Sequence, residues 1–234
     1  MIQNSKLCVI VPARSGSKGI PNKNIREIAG KSLLFRTFET AAGLTDEKNI
    51  CLSTDSEKYY ENIKDKFNPI FLKRSSELST DTALAINVWK DAINFLKNNY
   101  ENYEYSIFLE PSSPMRNLSW LKEITKNFIK SSDDLWMSIK ETDSKFRLEK
   151  QLIISENGDV KNLFKNDDFY SLRQNSSKTY HKDGVFYIAR NQYIIDSRSL
   201  FEGKIKGLIN NFKSINIDTF EDLEYAKYLL RDEK

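Results

Sequence analysis

The sequence predicts an α/β fold on a mainly parallel sheet, and three observations carry that expectation. Short runs rich in β-branched and aromatic residues alternate with stretches of helical periodicity. The first run, residues 7–11 (LCVIV), is apolar throughout, as a central strand covered on both faces must be. A loop of small and polar residues follows that strand directly, in the position where such sheets bind their ligands.

The elements follow in order. After strand 7–11, residues 12–24 form a polar loop with two glycines and two prolines. Residues 32–42 place Leu34, Phe35, Phe38 and Ala42 at helical spacing. A second strand over 49–53 leads through Asp55 to a helix over about 56–66, and residues 69–72 read as a third strand. Residues 82–96 give an amphipathic helix with Ala85, Val88, Trp89, Ala92 and Leu96 on one side. A fourth strand, 105–109, ends at Glu110 and the turn Pro111-Ser112-Ser113-Pro114. A helix near 118–129 and a strand near 135–139 come next. From 142 to about 182 the chain turns polar, with a weak period-two patch at 152–154 broken by Asn157-Gly158, a hairpin-turn dipeptide. This stretch reads as an arm inserted in a single domain spanning 1–234, pairing either with another subunit or with its own domain. Strand 185–189 and a last helix over 218–230 complete the chain. There is no internal repeat, long single-sign charge block or low-complexity tail.

Composition narrows the function. With 36 Lys+Arg against 33 Asp+Glu, interspersed, the net charge is only +3, which argues against a nucleic-acid or membrane footprint and requires any anionic partner to be met locally. The two cysteines, Cys8 and Cys51, fall in expected strands, form no disulfide framework and fit a reducing cytoplasm. The one histidine, His181, excludes a multi-histidine zinc site and leaves a serine triad dependent on a single residue. The apolar stretch at 7–11 is too short for a signal peptide or membrane span, so a cytoplasmic location is expected. Trp89, Trp120 and Trp136 occupy core-like positions and read as packing rather than a base-stacking platform.

Residues 11–24 (VPARSGSKGIPNKN) carry the most chemistry. Gly16 and Gly19 permit close backbone approach, the loop amides offer anion contacts, and Arg14, Lys18 and Lys23 add positive charge. That combination suits a polyphosphate cradle; the plainer alternative is a solvated basic loop. It is no Walker loop: beside Gly30-Lys31-Ser32, Ile25 stands where the required earlier glycine belongs. A second candidate is Asp218, a carboxylate between a late strand and a helix, suited to Mg²⁺. The alternative there is a helix cap, with Thr219 and Asp222 in capping-box spacing, and both roles can coexist.

The segment 11–24 resembles the N-terminal signature of the CMP-sialic acid synthetase family, the cytidylyltransferases of acylneuraminate-type acids. Further matches stand in the family's order: Ser53-Thr54-Asp55; Lys73-Arg74 with Glu77-Leu78 and Asp81-Thr82; Leu109 to Arg116 (LEPSSPMR); Arg173-Gln174; Gly184 to Ile188 (GVFYI); and Ile217-Asp218-Thr219 with Glu221-Asp222-Leu223. The likeness spans residues 8–230. It implies a Rossmann-like nucleotidyltransferase fold with an inserted dimerisation arm, and transfer of CMP from CTP to the anomeric hydroxyl of a nonulosonic acid. Catalytic roles fall to Arg14, Lys23 and Asp218. Nucleotide binding falls to Ala13, Arg14, Ser15, Gly16, Ser17, Lys18, Lys23, Asn24, Arg74, Asp81 and Thr82. Acceptor binding falls to Glu110, Ser112, Ser113, Arg173, Gln174, Lys182 and Asp183, with the Arg173 guanidinium suited to the acid's carboxylate. Mg²⁺, or Mn²⁺, is implied as cofactor, held by Asp218, Asn216 and Glu110, and a homodimer with shared active sites is implied by the arm.

Four departures from the family pattern bear on these roles. Asn216-Ile217-Asp218 replaces the usual Asp-Ile-Asp, putting an amide on the strand face where a metal-facing carboxylate is expected. Glu110 stands where many relatives carry glutamine, and either supplies the missing charge or leaves Asn216 to coordinate through its carbonyl or a water. Ala85 lies where relatives often offer a hydroxyl to the base. His181-Lys182-Asp183-Gly184 replaces an Arg-x-Asn-Gly run, which makes His181 a substrate-side or surface residue rather than a base. The Ser15 to Gly19 loop leans toward sialic or legionaminic rather than pseudaminic acid. Two alternatives are carried: transfer to 3-deoxy-octulosonate, and a nucleotide- or CMP-sugar-binding protein without turnover.

Overall fold

A computed structural model describes residues 6–17, 19–163 and 178–231. The first strand, β1 (Leu7–Pro12), points Leu7, Val9 and Val11 to one face and Cys8 and Ile10 to the other. Both sets are buried, so the period-two geometry of an apolar run places it mid-sheet. The loop beyond it ends in a small hairpin, β2 (Glu27–Ile28) and β3 (Lys31–Ser32), turned through Ala29 and Gly30, both at positive φ. The Ser32 side chain then accepts the Phe35 amide at 3.1 Å and starts α1 (Leu33–Leu44).

Next come β4 (Ile50–Thr54), α2 (Glu57–Glu61), α3 (Lys64–Phe67), β5 (Ile70–Lys73), α4 (Ala85–Asn99), β6 (Tyr105–Phe108) and α5 (Leu118–Lys130). β7 (Leu135–Glu141), β8 (Leu152–Ile154), β9 (Val160–Asn162), β10 (Tyr180–Arg190), α6 (Asn191–Asp196), β11 (Ile205–Ile209) and α7 (Phe220–Leu230) complete the described chain. The helix expected over 56–66 is two short helices broken at Asn62 and Ile63. The helix expected from 82 begins at Ala85. Strand β11 and helix α6 have no counterpart in the sequence reading. The Gly207 in β11 weakens the strand signal, and the bare Cα there lets Ile139 of β7 pack close, a Cβ falling 2.6 Å from its Cδ1.

The main sheet has seven strands in the order β11-β7-β10-β6-β1-β4-β5. β10 runs antiparallel to β6 and β7, and the other described pairings in this sheet are parallel. This is the mixed, mainly parallel α/β architecture expected. On one face α1, α2 and α5 bring Leu34, Phe38, Tyr59 and Phe128 onto β1, β4 and β6. On the other, α4 and α6 pack Trp89, Ala92, Leu96 and Ile194 over Cys8, Ile10 and Cys51. Trp89 stacks on Phe108 with ring centroids 4.9 Å apart and donates to Ser106 Oγ at 2.7 Å, a packing role in full. Trp136 is buried as well, and Trp120 lies partly buried against Phe212. Both cysteines are free and buried, and burial pushes their thiols up.

A third, smaller cluster lies at the edge of this core. Ile20 from the loop after β1, Ile217 from the segment before α7, and Leu223, Ala226 and Leu230 of α7 meet Ile28 and Leu33 there. It ties the first loop of the chain to its last helix, with consequences for the site below. The arm behaves differently. Its hairpin β8–β9 forms a separate two-stranded sheet, with Leu152, Ile154 and Val160 all exposed. Among the described residues no helix is long and apolar enough to cross a membrane.

Candidate functional site

β1 lies between β4 and β6 in the sheet, so the chain leaves β1 at the point where strand order reverses. A crevice opens there, outside the carboxyl ends of the strands. In this molecule it is a cleft of about 370 Å³, lined among others by Arg14, Lys23, Asn24, Arg74, Asp81, Glu110 and Asp218.

The loop after β1 is shaped by carboxylate and amide contacts from its neighbours. Ala13 N–H donates to the Ser53 carbonyl at 2.9 Å. The Asp55 carboxylate accepts both the Ser15 amide and the Ser15 hydroxyl, each at 2.8 Å. Asn24 Nδ2 donates to the Arg14 carbonyl at 3.1 Å from the far side of the loop. The Arg14 guanidinium donates to the Gly16 carbonyl at 2.8 Å and pairs with Asp81 at 2.6 Å, so loop 13–17 and the segment after β5 close over one end of the cleft. Lys18 lies outside the described residues.

Gly19 has a role that its sequence did not disclose. A Cβ on it would stand 2.3 Å from the Asp218 carbonyl oxygen, so the absence of a side chain lets the first loop touch the segment before α7. With Ile20 and Ile217 both buried in the small cluster, this contact joins segments from opposite ends of the sequence into one wall. Lys23 crosses the join: its ammonium donates to the Ile217 carbonyl and pairs with Asp218 at 3.0 Å. Ile217 N–H in turn donates to the Ser112 carbonyl at 2.8 Å, bringing in the turn after β6.

Asp218 and Thr219 divide the two roles proposed for this segment. Thr219 caps α7 in a capping box with Asp222, whose carboxylate accepts the Thr219 and Asp218 amides at 2.9 and 3.0 Å. The Asp218 side chain is left free of the cap and two-thirds exposed, and Asn216 Nδ2 donates to it at 3.2 Å. Glu110 completes the arrangement. The point where a Cβ on Gly184 would lie is 3.0 Å from Glu110 Oε2, 2.9 Å from Ser113 Oγ and 3.8 Å from Asn216 Cγ, so these side chains share one corner of the cleft. Desolvation holds the Glu110 carboxyl above its usual range, Asp218 adds to this, and Arg116, Lys182 and Lys23 oppose it.

At the other end, Arg74 is buried and turned toward β4, donating to Ser53 Oγ at 3.1 Å and to the Ser53 carbonyl at 2.6 Å. Desolvation brings its guanidinium down to about 10, against the pull of Asp55 and Asp91. Ala85 lines this end with Val88, while Thr82 is exposed beside Thr80, their hydroxyls 3.2 Å apart.

The acceptor-side residues are placed unevenly. Ser112 lines the cleft, and Ser113 is buried with its hydroxyl donating to the Asp183 carbonyl at 3.2 Å. Asp183 is buried, and its carboxylate accepts from Ser138 Oγ, from Val185 N at 3.2 Å and from Asn210 Nδ2 at 2.7 Å. Those partners hold the irregularity in β10 between Lys182 and Tyr187, so the Asp183 side chain shapes the wall from inside the sheet. Lys182 is exposed, with its ammonium 5.9 Å from the Phe201 ring. His181 is exposed and 3.2 Å from Thr142 Oγ1. Arg173 and Gln174 lie outside the described residues. Two further side chains, Asp55 and Arg116, support these walls. Asp55 was visible only as part of a short motif, and Arg116 as the last letter of another.

The Asp218 and Glu110 carboxylates are hard oxygen groups close enough to feel each other's charge, and Mg²⁺ takes few carboxylates while keeping several waters, but Asn216 turns its amide nitrogen toward Asp218. Among the described residues no group of three His, Cys, Asp or Glu side chains could hold a metal.

Residues 8–234 match the family model described as cytidylyltransferase. The chain is 32% identical to N-acylneuraminate cytidylyltransferase from Streptococcus agalactiae over 91% of its own length and 50% of that protein's. It therefore spans about half the length of that relative. It is 30% identical to pseudaminic acid cytidylyltransferase from Campylobacter jejuni, over 96% of both chains. Among solved structures, CMP:2-keto-3-deoxy-manno-octonic acid synthetase complexed with CTP superposes with a TM-score of 0.71 at 14% identity, covering 98% of this chain and 100% of that one.

Proposed function

The chain belongs to the cytidylyltransferase family, and on that premise we propose that it transfers CMP from CTP to the anomeric hydroxyl of a nonulosonic acid of the sialic or legionaminic type. The observation that carries this reading is the meeting of Arg14, Lys23 and the small-residue loop with Asp218, Asn216 and Glu110 in one cleft at the switch point of the sheet. Relatives named for N-acylneuraminate and pseudaminic acid support the acceptor class.

The reaction forms a bond from the sugar hydroxyl to the α-phosphorus and breaks the bond to the β-phosphate, releasing pyrophosphate. It needs charge neutralisation around an in-line displacement and little covalent help. Arg14 and Lys23 supply fixed positive charge, and the amides of loop 13–17 supply further donors. Both cations are paired with carboxylates, Arg14 with Asp81 and Lys23 with Asp218. Arg74 and the segment to Thr82 face the cytidine, with Ala85 leaving base contacts to other groups. Glu110 and Ser112 face the acceptor, with buried Ser113 behind them and Lys182 at the edge, and Arg173 and Gln174 are assigned to the acid on resemblance. Asp218, Asn216 and Glu110 would hold Mg²⁺ or Mn²⁺, which supplies positive charge against the phosphate oxygens. No histidine base enters this scheme. A homodimer is part of the same proposal: the outward apolar residues of hairpin β8–β9 are supplied with a partner if the arm packs on a second copy. So is a cytoplasmic location, which CTP as substrate and two free thiols support.

The test is pyrophosphate release from CTP over a panel of sialic, legionaminic, pseudaminic and 3-deoxy-octulosonic acids, with Mg²⁺ and with the metal chelated. Release is expected on the sialic or legionaminic acids, and none after chelation. Release confined to the octulosonic acid would move the substrate to that class. Binding of CTP with no release on any acid would make the chain a binding protein, the alternative that the Asn216 departure motivates.

A further inference from the structure

Arg116 has no role in the scheme above, yet it touches both walls of the acceptor corner. Its Nε donates to the Val185 carbonyl at 2.8 Å, its Nη2 to the Glu110 carbonyl at 2.6 Å, and its Nη1 lies 3.4 Å from Thr37 Oγ1 on α1. The first two acceptors sit at informative places. One is the backbone of Glu110 itself. The other belongs to the residue after Gly184, whose φ of 70° and bare Cα let the Glu110 carboxylate lie against it. One rigid guanidinium thus spans the end of the β6 turn and the irregular part of β10, the two segments between which Glu110 is seated.

The charge arrangement fits the same purpose. Desolvation brings the Arg116 guanidinium down to about 10, opposed by the Glu110 and Asp183 carboxylates. A partly buried cation of this kind is costly unless its hydrogen bonds are made and its counter-charges are near, and both conditions hold. A neutral side chain would pack here at less cost if only shape were needed. The geometry favours a fork that reaches two carbonyls at once over a point charge.

We infer that Arg116 is a positioning residue for the acceptor: by tying the Glu110 and Val185 carbonyls together it fixes the Glu110 carboxylate against Gly184, and so sets the affinity for the sugar acid without contacting the nucleotide. The inference rests on the transfer reading given above. It places specificity for the acid in the spacing of two backbone segments as well as in the groups that touch it.

Steady-state kinetics with both substrates varied test this in Arg116→Met and Arg116→Lys, with thermal melting of each protein alongside. Arg116→Met is expected to raise KM for the acid on the order of tenfold while KM for CTP stays within about twofold. Arg116→Lys, which keeps the charge but bridges one carbonyl, is expected to fall between Met and wild type. Should the Met variant fail to fold, Gly184→Ala reads the same corner from the other wall: its methyl would fall 3.0 Å from Glu110 Oε2, and the same selective rise in KM for the acid is expected. Equal changes in both KM values, or a fall in kcat that merely tracks the unfolded fraction, would overturn the inference. Wild-type protein inactive on every acid would overturn the transfer reading instead, and that outcome is separate because it needs no variant.

Discussion

At the scale of single residues, the site depends on contacts between side chains and backbone that lie far apart in the chain. Lys23 reaches the Ile217 carbonyl and Asp218 from the first loop, and Gly19 is bare because the Asp218 carbonyl leaves no space for a Cβ. Lys23→Met should lower kcat/KM about a hundredfold, the loss typical of one preorganised charge contact, with the fold retained. A loss below about threefold, with circular dichroism unchanged, would take Lys23 out of the reaction. Residue chemistry of this kind was partly legible. Positive charge, small residues and the Asn216 departure are visible in the sequence, because residue type and spacing carry them. The occupation of Arg14 by Asp81, and of Asp183 by Ser138 and Asn210, was not, since hydrogen-bond partners follow from where the chain folds.

Elements show the same division. α7 starts where the Thr219 to Asp222 spacing says it should, and the cap leaves Asp218 outside, so one short segment both starts a helix and offers a carboxylate to the cleft. Thr219→Ala removes the side-chain half of that box. It should cost about 1 kcal/mol in urea unfolding, as N-cap replacements typically do. An unchanged midpoint would show that the small cluster of Ile20, Ile217 and Leu223 holds the helix start without its cap. Strand β11 escaped notice because lysine and glycine interrupt its apolar residues, and its pairing to β7 is parallel and non-local. The central strands were legible because burial on both faces forces an unbroken apolar run.

For the whole molecule, the open question of its arm has a direct experiment. Leu152, Ile153, Ile154 and Val160 face outward on a hairpin that forms its own small sheet. If arms are exchanged and sites shared, mixing inactive Arg173→Ala and Lys23→Ala proteins should restore activity, because each heterodimer carries one intact site. No recovery, with heterodimers shown to form, would assign each site to a single chain. Residue order alone was enough for the α/β class, the strand that lies at its centre, the small-residue basic loop after it and the near-neutral charge that makes any anion site local. These follow from periodicity and residue type, which act over a few positions. Only the tertiary structure decided that β10 runs antiparallel beside β6, that the first loop meets the segment before the last helix, and that Arg116 bridges the walls around Glu110. Those features are contacts between distant segments, set by how apolar faces are buried together rather than by any local pattern.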